Sequence, residues 1–131
     1  MEPEGVVNVL RSLVEALVPG GIVLDLGSVP PAAEIESGGV VLGSLDEDAF
    51  FAEALPAMAG LDALVAEGVL REEGRTTCDM LLHFDSSEDL VEDVETRSHT
   101  RLTEDLAERL RQVAAPVRQH EHCLLRRFRL V

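Results

Sequence analysis

Residues 10–31 read LRSLVEALVPGGIVLDLGSVPP, from Leu10 to Pro31, and the order of elements in this stretch decides the fold class. Leu10, Leu13, Val14 and Leu17 recur at helical spacing, which gathers them on one side of a helix. Pro19, Gly20 and Gly21 end that helix, because proline cannot continue it and glycine accepts a positive φ. Ile22-Val23-Leu24-Asp25-Leu26 is too short for a helix and follows a turn, so a buried strand is expected there. Pro30-Pro31 then force an extended exit. A helix that feeds such a strand is half of an α/β repeat.

Upstream, the helix is expected over residues 4–18, with Val6, Leu10, Leu13 and Leu17 on one stripe and Val7 and Val14 beside it. Glu2 and Glu4 suit the positive end of its dipole. Downstream, AEIES-GG-VVLGSL holds two short runs about Gly38-Gly39, a hairpin signal. Ser44 and Glu47 stand at capping-box spacing and open a helix from about Asp46 to Glu67, with a kink or break expected near Ala54, Leu55 and Pro56 and an end at Gly68. Val69 to Glu73 and Thr76 to Phe84 flank Gly74, which predicts two strands about a tight turn. Ser86 with Asp89, and Thr103 behind Leu102, start two short helices. From Val117 the chain is expected to run extended to Val131.

The 131 residues bound a single domain over 1–131. With no Trp, no Tyr and four Phe, the core must be aliphatic, and there is almost nothing to stack on bases. The net charge of −14 disfavours nucleic acid and anionic membranes, and neither is expected as a partner. That charge is uneven: residues 1–115 hold 7 Arg and 24 acidic residues, whereas 116–131 hold 4 Arg and one acidic residue, so a basic last strand is expected to complement an acidic body. No basic leader precedes an apolar run, and no apolar segment approaches the roughly 18 residues that span a bilayer. A cytoplasmic protein is the expectation, with Cys78 and Cys123 as reduced core thiols.

The helix, the ALVPGG turn and the IVLDL strand together resemble the fourth helix and fifth strand of class I S-adenosylmethionine-dependent methyltransferases, in which an L-x-P-G-G turn introduces an apolar strand. The elements downstream resemble that family's tail, so the likeness spans nearly the whole chain but only the C-terminal half of the family's domain. It implies an α/β fold: a partial Rossmann-like sheet of about three main strands, mixed, with helices packed on it and a small β-hairpin. The C-terminal strand would lie antiparallel between Ile22–Leu26 and Thr76–Phe84. It also implies that Asp25, Ser28 and Pro30 border a substrate pocket, by the rule that ligands bind beyond the carboxyl ends of parallel strands.

No glycine-rich turn follows a strand in the manner that grips a methyl donor. The isolated chain is therefore expected to hold no cofactor, and to meet S-adenosylmethionine only if a partner chain completes the domain. No serine or cysteine has the setting of an activated nucleophile, so no catalytic residue is assigned. Three functions follow: a non-catalytic binding or assembly module that forms a homodimer through the Ile22–Leu26 edge, the substrate-side half of a methyltransferase completed by another chain, or a small-ligand or metal-binding protein. For the last, His120 and His122 fall on one face of a strand and His83 could lie on a neighbouring strand. Imidazoles gathered on a sheet face can ligate zinc. The alternative is a partly exposed sheet face.

Overall fold

The computed structural model describes residues 3–131, with side chains from residue 9 onward. In chain order the elements are α1 (Pro3–Ala16), β1 (Ile22–Ser28), β2 (Glu34–Ser37), β3 (Val40–Ser44), α2 (Asp48–Ala66), β4 (Leu70–Phe84), α3 (Ser87–Glu95), α4 (Glu104–Arg111) and β5 (Val117–Leu130). Glu2 and the side chains of Glu4, Val6 and Val7 lie outside the described residues.

The fold is α/β, with five strands in one sheet, but the sheet is antiparallel rather than mixed. The C-terminal strand β5 runs against β1, with Ile22 opposite Arg129 and Ser28 opposite Cys123. It also runs against β2, with Glu34 opposite His120. The expected hairpin forms as β2–β3 and joins the same sheet through β2. The reason lies in the connections: parallel neighbours need a long crossover between them, whereas Gly38 and Gly39, both at positive φ, close β2 onto β3 directly.

The chain forms two compact units. The first comprises the segment up to Ser28 with Ala52–Cys78 and Cys123–Val131. Its core joins Leu61 and Leu64 of α2 to Leu70 of β4 and Phe128 of β5, with Leu10, Val14 and Val23 packed against them. All of these lie on one face of the β1–β5–β4 layer. On the other face Ile22, Leu24 and Leu26 are exposed. The expectation of a buried strand at Ile22–Leu26 is therefore corrected: a continuous apolar run suits a strand covered on both faces, and here only one face is covered.

The second unit comprises Val29–Phe51 and Asp79–His122. Ile35, Leu45 and Val117 meet Leu90 and Val94 of α3 and Leu106 and Leu110 of α4 in its core. The two helices start where the capping residues stand, since Ser86 accepts from Asp89 N–H and Thr103 from Leu106 N–H.

Several local expectations change. Residues 70–84 form one strand through Gly74, paired with β5, a strand of similar length. Helix α2 continues through Pro56 and begins at Asp48. Glu47 is not a capping residue there; it is buried and accepts from Ala33 N–H. At 19 residues α2 is long and apolar enough to cross a membrane by length and composition, which corrects the statement that no segment approaches that length. Cys123 is buried, whereas Cys78 is exposed rather than in the core.

Candidate functional site

The basic tail is spent inside the molecule. Arg126 is buried and donates to Asp62 and Glu72, at 2.5 and 2.8 Å, with its guanidinium 4.7 Å above the Phe128 ring. Arg127 and Arg129 both donate to Glu73. These contacts neutralise acidic residues of α2 and β4, as a basic strand against an acidic body should.

Asp25 lies half-buried opposite Arg126, and burial pushes its carboxyl above the ordinary range while Arg126 opposes that shift. Ser28 ends β1 in the same unit; Pro30 belongs to the second unit and is exposed. One surface groove of about 820 Å3 lies between α3 and α4, and a second, of about 260 Å3, lies beside Gly38, Gly39, His83 and Arg118. Neither is lined by Asp25, Ser28 or Pro30.

The outer flank of β1 is open. Leu130 N–H donates to Gly21 O, and Val29 N–H donates to His122 O, which fixes the odd-numbered residues of β1 as those bonded to β5. Ile22, Leu24 and Leu26 thus turn their backbone N–H and C=O groups away from β5. Among the described residues no strand pairs with that flank.

On the second unit, the sheet face opposite α3 and α4 gathers His120 and His122 with Asp79 of β4. The alternation of a strand puts the two histidines on one face. His120 Nε2 lies 3.0 Å from Asp79 Oδ1, His122 Nδ1 lies 3.7 Å from the same oxygen, and the two rings are 4.8 Å apart. The other nitrogen of each ring faces a carboxylate of β2: His120 Nδ1 is 3.6 Å from Glu36, and His122 Nε2, which is buried without a hydrogen-bond partner, is 4.0 Å from Glu34. Hydrogen bonding with His120 holds the Asp79 carboxyl below its ordinary range. The Arg118 guanidinium, 2.8 Å away, does the same for Glu36.

No known protein family, curated protein or solved structure matches this chain. The residues themselves carry the functional argument.

Of the predicted histidines, His120 and His122 come together and His83 does not. His83 stands four residues beyond Asp79 on β4, roughly 13 Å along an extended chain, and lines the small cavity instead. Sequence reasoning missed Asp79, Glu34 and Glu36. The alternation that places Asp79 on the face of His83 was visible, but which of the two sits across from His120 depends on the pairing of β4 with β5.

Proposed function

We propose that this chain is a non-catalytic binding and assembly module, and that two copies pair through the Ile22–Leu26 edge of β1 into one continuous sheet. The observation that carries the reading is the open outer flank of β1, whose outward-turned residues Ile22, Leu24 and Leu26 are also its exposed apolar side chains. A bare apolar edge of this kind is a template for another strand.

The strand is self-complementary about Leu24. A two-fold axis at Leu24 sets Leu24 against its own copy and Ile22 against Leu26, so each pair exchanges two main-chain hydrogen bonds. Shifting the axis to Asp25 would oppose two carboxylates, and shifting it to Leu26 would bring Pro30, which lacks a donor, against Ile22. In the favoured register Asp25 lies opposite Val23, and all of Ile22, Leu24 and Leu26 from both copies form one apolar strip.

Light scattering on the eluting protein at micromolar concentration should give twice the 14.2 kDa chain mass. Leu24→Lys, which puts a charge on the axis, should give the single-chain mass. A monomeric wild-type chain would overturn the reading and leave the edge for a different chain, as in a domain completed in trans. The same reading has the isolated chain bind no S-adenosylmethionine; calorimetric binding of that molecule would count against it.

A further inference from the structure

We propose that the outer face of the second unit's sheet is a binding site for a divalent transition-metal ion, zinc by its chemistry, ligated by Asp79, His120 and His122. This rests on residues remote in sequence from the β1 edge and stands or falls independently of pairing between copies.

The donor atoms already converge. One ligand atom from each residue lies within 4.8 Å of the others, and the closest distances, 3.0 and 3.7 Å to Asp79 Oδ1, bracket the roughly 3.3 Å that separates ligands on a tetrahedral zinc. Two imidazole nitrogens and one carboxylate oxygen form a borderline donor set that suits zinc and its first-row neighbours. Calcium and magnesium want mostly oxygen.

The surroundings argue for a cation as well. Metal-bound histidines almost always direct their second nitrogen to a carboxylate or carbonyl, which fixes the tautomer and strengthens the ligand. Glu36 stands in that position for His120, and Glu34 for His122. With neutral histidines, Asp79, Glu34 and Glu36 outweigh Arg118 by two negative charges, the charge of one dication.

Three protein ligands leave coordination positions open to water. The ion would therefore be exchangeable, and its open positions would face solvent on the side where Asp79 is exposed.

The test is calorimetric titration of the 131-residue chain with Zn2+, alongside the visible absorption of a Co2+ complex. Wild type should bind one equivalent, with Co2+ bands of a low-coordinate nitrogen and oxygen site. The double variant His120→Ala/His122→Ala should lose that equivalent, and Asp79→Asn should weaken it at least tenfold. Glu36→Gln should weaken it by about 10- to 100-fold through the second nitrogen of His120. His83→Ala, outside the cluster, should leave binding unchanged, and far-UV circular dichroism should confirm that each variant folds. Wild type that takes up no Zn2+, or uptake that survives in the folded double variant, would overturn the assignment.

Discussion

Arg126 is 2% exposed, and its Nη2 donates to Glu72 at 2.8 Å, so a full positive charge is held inside the first unit by partners that themselves reach water. The partners are unequal in burial: Glu72 is 20% exposed and Asp62 is 61% exposed. Removing the guanidinium frees two carboxylates to solvate, whereas removing the carboxylates strands a buried cation. Arg126→Met, which keeps the volume over Phe128, should therefore change stability by no more than about 1 kcal/mol. The double variant Asp62→Asn/Glu72→Gln should cost about 3–5 kcal/mol. Urea unfolding of both checks the asymmetry.

Two glutamates give opposite pH dependence. Two arginine hydrogen bonds, from Arg75 and Arg126, hold Glu72 at about 2 against an ordinary 4.5, so its contribution is present above pH 4.5 and is lost as pH falls toward 2. Burial pushes Glu47 above 4.5, and the hydrogen bond from Ala33 N–H only partly opposes this. Its contribution is present below pH 4.5 and is lost as pH rises through the raised value. Glu47→Gln keeps an acceptor for Ala33 and cannot ionise. Its urea midpoint relative to wild type should rise as pH increases from 4 to 7, and acid loss below pH 4 should persist in the variant.

The caps of the second unit's helices were legible from sequence and are testable in the same way. Thr103 accepts from Leu106 N–H at 3.1 Å, and Leu106 is in the core of that unit. Thr103→Ala should cost about 1 kcal/mol. A loss near zero would mean that tertiary packing alone sets the start of α4.

What the sequence disclosed, it disclosed through local rules. Ser86, Thr103, Gly38-Gly39 and Gly68 each mark an element end by backbone chemistry that acts within a few residues, and all stand at ends in the structure. What depended on pairing was hidden. Gly74 looks like a turn until a long partner strand runs beside it. Ile22–Leu26 looks buried until one face of its sheet is left uncovered. The histidine cluster shows the same division: His120 and His122 share a face by strand periodicity, while Asp79, Glu34 and Glu36 arrive from strands distant in sequence.

The β1 edge makes a last prediction, about heat rather than mass. If two copies pair through Ile22, Leu24 and Leu26, unfolding is coupled to dissociation, and Tm must rise with protein concentration. Leu24 is 65% exposed in the single chain, so replacing it should change the intrinsic stability of one copy by only about 0.5 kcal/mol. Leu24→Lys should therefore match the wild-type Tm at the lowest concentrations and fall behind as concentration rises, since a lysine on an edge blocks the approach of a second strand. Scanning calorimetry from micromolar to near-millimolar chain measures this directly. A wild-type Tm that does not move with concentration would mean that this strand finds no second copy.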